Sequence, residues 1–299
     1  MNKTVLNVEA DEILYRSAFA VQRTAWKFIS KSGNTRDLGS KFTKTKIIKF
    51  MKECNKILDE DYKLEKYIIA EPFSHCARII RDTIKRLETH GDVRLFLTSS
   101  DKSNFRFNVA KTPGQKGQGY KAGRAEKPVH YKAARELLLN EFNAEEIHGY
   151  EADDALGIYQ NNNTIAVHID KDINMIPGKH LDWVNMEFYD CQFNLGTVTY
   201  NKEKKKAVGR GRKWFYHQLL TGDATDNIPG VPGFGDKTAY TALEGIDNEK
   251  ECAIMVLSLY QKHFDYEALD RLYEIASLIW ICQDRENIGS DILQEILEC

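Results

Sequence analysis

The 299-residue sequence contains no long apolar run. Its apolar stretches, of which Ile165–Ile169 is typical, fall far short of the roughly 20 residues a membrane-spanning helix needs. No membrane partner is therefore expected. The chain also lacks the basic and apolar blocks of a secretory leader, since it has turned polar and acidic by Glu9. Cysteine is sparse and scattered: Cys54, Cys76, Cys191, Cys252, Cys282 and Cys299 form no C-x-x-C and stand at no zinc spacing with histidine. A disulfide scaffold and a structural zinc are both disfavoured, and reduced thiols in a cytoplasmic protein are expected. Missing as well are a P-loop, a serine or cysteine triad and an H-E-x-x-H helix, so nucleotide-driven and covalent catalysis find no support. Neither sign of charge dominates, with 42 Lys and Arg against 44 Asp and Glu, a net charge of −2.

What is present is an ordinary globular balance, 42% hydrophobic and 29% charged, in a chain long enough for one large or two closely packed domains. The charge is unevenly spread. Between residues 102 and 135, Lys102, Arg106, Lys111, Lys116, Lys121, Arg124, Lys127, Lys132 and Arg135 are opposed only by Glu126. A second basic run holds Lys202, Lys204, Lys205, Lys206, Arg210, Arg212 and Lys213 against Glu203. Basic segments beside isolated acid clusters suit a polyanionic substrate next to a cation site, although solvated surface loops carry the same signature.

Short β-branched runs predict strands at Thr4–Val8, Val93–Thr98, Thr164–Ile169, Trp183–Tyr189 and Gly196–Tyr200. Helical patterns occupy Ala10–Ile29, Lys44–Leu58, Phe73–Thr89 and Val129–Phe142; the third places Cys76, Ile80, Ile84 and Leu87 on one face, with Gly91 just beyond its end. This alternation predicts an α/β fold with a central, mostly parallel sheet and helices on both faces. Residues 112–123, rich in glycine and lysine, offer too little apolar matter to pack and read as mobile. After Trp214 the pattern turns helical. An α/β domain over 1–213 and a helical subdomain over 214–299, packed on the first, are expected.

In an open α/β sheet, functional groups gather at the carboxyl ends of strands. Here nearly every strand is followed by acids: Glu9 and Asp11; Asp101; Glu151, Asp153 and Asp154; Asp170 and Asp172. Asp223 and Asp226 lie three apart, on one face of a helical turn. One acid after a strand is usually a cap, but parallel topology would bring this whole set to one edge. Two carboxylates about 4 Å apart repel by roughly 4 kcal/mol at an effective dielectric near 20, so such a cluster needs cations or protons. All-oxygen ligands select hard ions, Mg2+ or Mn2+, and the acids suffice for two. Two such ions about 3.5–4 Å apart serve phosphodiester hydrolysis.

The strings Glu151-Ala-Asp-Asp154, Asp170-Lys-Asp172 and Gly222-Asp-Ala-Thr-Asp-Asn-Ile-Pro-Gly-Val-Pro-Gly-Phe-Gly-Asp-Lys-Thr-Ala239 resemble the 5′-nuclease family of flap endonucleases and 5′→3′ exonucleases. Leu14-Tyr-Arg16, Asp101…Phe105-Arg106 and Tyr120-Lys-Ala-Gly-Arg124 fit the same pattern, which in length looks most like the bacteriophage 5′→3′ exonucleases. The resemblance implies a PIN-like nuclease fold, with one metal at Asp101, Glu151 and Asp153, close to Glu9 and Asp154, and a second at Asp170, Asp172, Asp223 and Asp226. The family has aspartate where this chain has Glu9, the next acid being Asp11. Lys121 and Arg124, with Arg106, match basic residues that meet the scissile phosphate from an arch or loop, here about residues 102–145 and more loop than helix.

The resemblance also implies a helix-hairpin-helix at about 218–243, in which Gly230, Gly233 and Gly235 let backbone N–H groups approach phosphate, Lys237 and Thr238 open the following helix, and K+ binds the hairpin. Tyr120 is placed to stack on an unpaired base. The function implied is a monomeric Mg2+-dependent 5′→3′ exonuclease and 5′ flap endonuclease on duplex DNA. RNA–DNA hybrid is a further substrate, and the role is phage replication or DNA degradation. Two alternatives remain: a PIN-type ribonuclease, which explains the acids but not the hairpin, and a catalytically lapsed protein that binds DNA structure. The basic run 202–213 reads as a hairpin tip touching the duplex.

Overall fold

The computed structural model describes residues 4–53, 62–192 and 194–298. Its main sheet grows outward from Val5–Glu9, in which Leu6 and Val8 are fully buried and Asn7 nearly so; a strand covered on both faces must be central. Val5–Glu9 pairs in parallel with Asp92–Thr98 on one side and Thr164–His168 on the other. Glu145–Ile147 and Gly178–Asp182 extend the sheet in parallel, and Glu187–Cys191 closes one edge antiparallel. The fold is thus α/β, with a six-stranded, mostly parallel sheet flanked by helices and followed by a helical region.

The chain forms two compact units. The first comprises residues 1–12, 84–126 and 138–299, so both sides of the expected 213/214 boundary lie in it. Its core joins Phe96, Leu156 and Ala166 of the sheet layer to Phe215, Tyr260, Leu272 and Trp280 of the helical region. The helices there are Arg212–Thr221, Asp236–Leu243, Glu249–Phe264, Ala268–Ile279 and Gly289–Glu298. Asn248 caps the third by accepting from Glu251 N at 3.1 Å. The first two helices are joined by a short ladder in which Gly222–Asp223 pairs with Ile228–Pro229. A Cβ on Gly222 would lie 2.4 Å from Ile228 O, and one on Gly230 2.3 Å from Thr221 C, so the turn closes only on glycine. Among the described residues no helix is long and apolar enough to cross a membrane.

The second unit comprises residues 13–83 and 127–137 and carries an antiparallel sheet in the order Thr35–Gly39, Gln22–Ser30, Tyr62–Ala70. This corrects the helix expected over Ala10–Ile29. The helix stops at Ala20, and the residues from Gln22 pair one by one with Tyr62–Ala70. The expected strand Trp183–Tyr189 is likewise corrected. Asp182 Oδ1 accepts from Val184 N and Asn185 N, both at 2.9 Å, turning the chain between two strands. The helix expected at Lys44–Leu58 is seen over Lys44–Glu53, residues 54–58 lying outside those described. Residues 202–205 form the tip of a hairpin between Thr197–Asn201 and Lys206–Arg210.

Candidate active site

The parallel strands deliver their carboxyl ends to one edge of the sheet. Glu9 ends the central strand, Asp11 and Glu12 open the helix after it, Asp170 and Asp172 follow Thr164–His168, and Glu151 precedes the helix Ala152–Ile158. Asp223 and Asp226 arrive from the turn after Arg212–Thr221. Every one of these groups belongs to the first unit.

The acids sense one another. Burial pushes Glu9 well above the usual carboxylate range, and Asp153, Glu12, Asp170 and Asp11 push it further. One oxygen of Glu9, Oε2, is buried with no hydrogen-bond partner. Asp153 is raised by burial and then by Glu151 and Asp170, against the pull of Lys121. Asp170 is raised by burial, with Asp223 and Asp226 adding to it. Asp172 is pushed up to about 7, by burial first and by Asp170 second. A buried oxygen without a partner and carboxyls held above their ordinary range are what a cation would relieve.

Three basic side chains answer this charge. Lys121 binds Glu151 and lies 3.7 Å from Asp226 Oδ2, and Arg124 binds Asp226. Burial alone would lower both, but these carboxylates hold them above their ordinary values. Lys171 Nζ lies 2.6 Å from Asp172 Oδ1. Tyr120, only 6% exposed, donates its hydroxyl at 3.0 Å to Glu151 Oε2 or Asp226 Oδ2. Among the described residues no three acidic, histidine or cysteine side chains converge closely enough to hold an ion as they stand. The donor set is nonetheless all oxygen, as a hard divalent cation requires.

The segment that brings Tyr120, Lys121 and Arg124 in is the one expected to be unable to pack, and the structure corrects that expectation. Asn227 Nδ2 donates to Gly117 O and Gly119 O, both at 2.9 Å, and its Oδ1 accepts from Lys116 N at 2.7 Å. Lys121 N donates to Asp226 O at 2.8 Å. Further back, Glu274 accepts from Lys111 N and Thr112 N, each at 2.6 Å. Polar anchoring replaces the missing apolar contacts. As the glycines imply, the stretch is loop rather than helix.

Other expected site residues are held by different partners. Arg106, 1% exposed, and Asp154, fully buried, form a bidentate pair at 2.6 and 2.8 Å. Arg106 also donates to Leu278 O at 3.1 Å and Trp280 O at 2.5 Å, while Asp154 accepts from Glu151 N and Cys282 N, both at 2.9 Å. Burial opposes the charge on Asp154, but Arg106 pulls it below its ordinary value. With four donors on two oxygens, Asp154 has no acceptor capacity left for an ion. Asp101 sits on the surface, 2.8 Å from His148 Nδ1 and from Ser103 N, and hydrogen bonds from Ser103 and His148 hold it well below the usual range. Asp11 accepts from Thr98 N at 2.8 Å. Gly233, Gly235, Lys237 and Thr238 are exposed at the start of Asp236–Leu243.

Sequence reasoning missed Glu12, pushed up to about 7 by burial although it accepts from Ile169 N at 2.8 Å and Trp183 Nε1 at 3.1 Å. Its spacing of three from Glu9 was the available signal. It also missed Lys171, His148 and Gln218, whose Nε2 donates to Asp172 Oδ1 at 2.6 Å. Behind the site His168 Nδ1 donates to Asp170 O at 2.8 Å, fixing that loop from below.

No protein-family model matches the chain. In sequence it is 29% identical over 185 residues to the thermostable DNA polymerase I of Thermus aquaticus, covering 58% of this chain and 21% of the polymerase. It is 34% identical over 146 residues to DNA polymerase I of Caldicellulosiruptor bescii, covering 44% of this chain and 17% of the polymerase. The fold is similar to that of the T5 D15 protein co-crystallized with metal ions, at a TM-score of 0.51 and 15% identity, with 98% of each chain covered. The bacteriophage T5 D15 flap endonuclease, in a pseudo-enzyme-product complex with DNA and metal ions, aligns over 76% of this chain and 91% of that one at 16% identity and a TM-score of 0.41. In its motifs and in its fold, the chain resembles the 5′-nuclease family.

Proposed function

We propose that this protein is a divalent-cation-dependent nuclease that hydrolyses phosphodiester bonds near 5′ ends of duplex DNA, as a 5′→3′ exonuclease and flap endonuclease. One observation carries the reading. Buried carboxylates at the carboxyl edge of the sheet are closed over by the Tyr120–Arg124 segment, which sets two cationic side chains on Glu151 and Asp226. Nucleases of the resembled family have this combination of an acid cluster and a basic segment, and the T5 D15 protein of like fold was crystallized with metal ions.

Glu9, Glu151, Asp153, Asp170, Asp172, Asp223 and Asp226 are the residues we assign to two Mg2+ ions, Mn2+ substituting; Asp101 would join them on leaving His148. Such ions lower the pKa of an attacking water and stabilise charge on the leaving oxygen. The chain's own part is electrostatic. Lys121 and Arg124 transfer from the carboxylates to the scissile phosphate, where they stabilise the charge that develops in the transition state. Tyr120 orients Glu151 and Asp226 through its hydroxyl. Glycines 230, 233 and 235, with Lys237 and Thr238, form the hairpin of a helix-hairpin-helix that holds the duplex backbone, and K+ is its expected companion. RNA–DNA hybrid is a second substrate, phage replication or DNA degradation the role, and a single copy carries every residue of the site.

The test is incubation of a 5′-labelled duplex, a 5′-flapped duplex and single-stranded RNA with Mg2+ or with EDTA. Short 5′ products released from the duplexes only with Mg2+ are expected. Binding without cleavage would reduce the chain to a DNA-structure-binding protein, and preference for free RNA would favour a PIN-type ribonuclease.

A further inference from the structure

Lys171 lies between two of the acids assigned to a cation, and the mechanism above makes no use of it. Its Nζ is 2.6 Å from Asp172 Oδ1 and 3.4 Å from Asp223 Oδ2, so one ammonium bridges acids from two different loops. The Trp214 ring centre lies 5.6 Å from the same nitrogen. The acids are the more enclosed partners, with side chains 21% and 12% exposed against 56% for Lys171. Their remaining capacity is partly committed. Gln218 Nε2 also donates to Asp172 Oδ1, and Asp223 Oδ1 accepts from Thr225 N at 2.6 Å.

Lys121 and Arg124 come from a separate segment and reach a different pair of carboxylates, Glu151 and Asp226. Lys171 belongs to the very loop that carries Asp170 and Asp172, so it stays beside them whatever the basic segment does. An ammonium and a divalent ion on the same oxygens repel each other, and the site accommodates one or the other. The lysine's exposed, flexible stem gives it a way out toward solvent.

We propose that Lys171 is a resident counter-cation of Asp172 and Asp223 that a divalent ion must displace, so that this side chain sets the cation concentration at which that half of the site loads. The inference rests on the cation-site reading above and deepens it. Lysine and metal are competing ligands of the same two carboxylates, so removing one strengthens the other by the same coupling.

The experiment is direct Mn2+ binding to the full chain without DNA, followed by titration calorimetry and by the electron paramagnetic resonance signal of free Mn2+. Lys171→Met and Lys171→Gln should bind the weaker of the two ions at least about tenfold more tightly, because a charge within hydrogen-bond reach has gone. Lys171→Arg keeps the charge and should stay near the wild type. Circular dichroism and thermal melts verify that each variant is folded. Unchanged or weakened Mn2+ binding in both neutral variants would overturn the proposal while leaving the nuclease reading standing. If neither wild type nor variants bind Mn2+, the cation-site reading falls and takes this one with it.

Discussion

At the residue scale, the acids fall into two populations. Asp153 is half-buried among other carboxylates, with Lys121 pulling the other way, whereas Asp154, its neighbour, is saturated by Arg106 and two backbone N–H groups. Their variants should differ in kind. Asp153→Ala should abolish Mg2+-dependent cleavage while leaving DNA binding and stability measurable, as read by gel shift and urea melts. Asp154→Ala strands a buried guanidinium and should cost about 3–5 kcal/mol of unfolding free energy. Arg106→Met together with Asp154→Leu should recover part of it. Lys121→Ala should slow the single-turnover step by about 100-fold or more while DNA affinity changes little, since its contact is made chiefly in the transition state. An unchanged single-turnover rate would remove Lys121 from the mechanism. Most of the cluster was legible because its acids stand at or just after strand ends, or, for Asp223 and Asp226, three apart in one motif. The fates of Asp154 and Asp101 were not, since a motif gives spacing and cannot say which partner, Arg106 or His148, reaches a carboxylate first.

At the scale of elements, the Tyr120–Arg124 segment depends on one asparagine. Asn227 makes three hydrogen bonds to Lys116, Gly117 and Gly119, just before that segment, and stands at φ 62°, a conformation asparagine tolerates better than most side chains. A Cβ on Gly114 would meet Asn227 O at 2.1 Å, so the two backbones are already in close approach. Asn227→Ala should therefore expose residues 111–124 to limited proteolysis several-fold faster and slow cleavage without unfolding the protein. Equal proteolysis rates in wild type and variant would show that the anchor lies elsewhere, at Glu274. Among the strands legible in sequence were the three buried parallel ones, Val5–Glu9, Asp92–Thr98 and Thr164–His168, which need no knowledge of a partner. Gln22–Ser30 was not, because its full-length pairing is with Tyr62–Ala70, some forty residues downstream, while the nearby Thr35–Gly39 pairs with only part of it, and local periodicity carries no trace of the distant partner. Trp183–Tyr189 failed for a different reason: the Asp182 turn overrides a run of residues that individually favour strand.

At the scale of the whole molecule, the acid cluster should govern how stability responds to pH. Glu12 moves from 4.5 to about 7 and Asp172 from 3.8 to about 7, by burial first and by neighbouring acids second. Between its unfolded and folded values, such an acid binds more protons folded than unfolded. Its stabilising contribution is thus complete at acid pH and is lost as pH rises through the folded value. In EDTA the melting temperature should fall between about pH 5 and pH 7, and Mg2+ should reverse the fall. The acids held low, Asp101, Asp154 and Asp223, act in the opposite sense and below that window. A melting temperature that climbs from pH 5 to 7 in EDTA would contradict the burial of the cluster.

The grip of Leu278, Trp280 and Cys282 on Arg106 and Asp154 has a consequence for how the protein is made. The acids of the cluster are all translated by residue 226, but the backbone groups that steady the Glu151–Asp154 turn come more than fifty residues later. A ribosome releases the chain amino end first, at about 5–20 residues per second. For several seconds the nascent chain thus carries the whole acid set without the clasp that orders it. If the site is the nuclease proposed above, cleavage should be absent from chains truncated before residue 282.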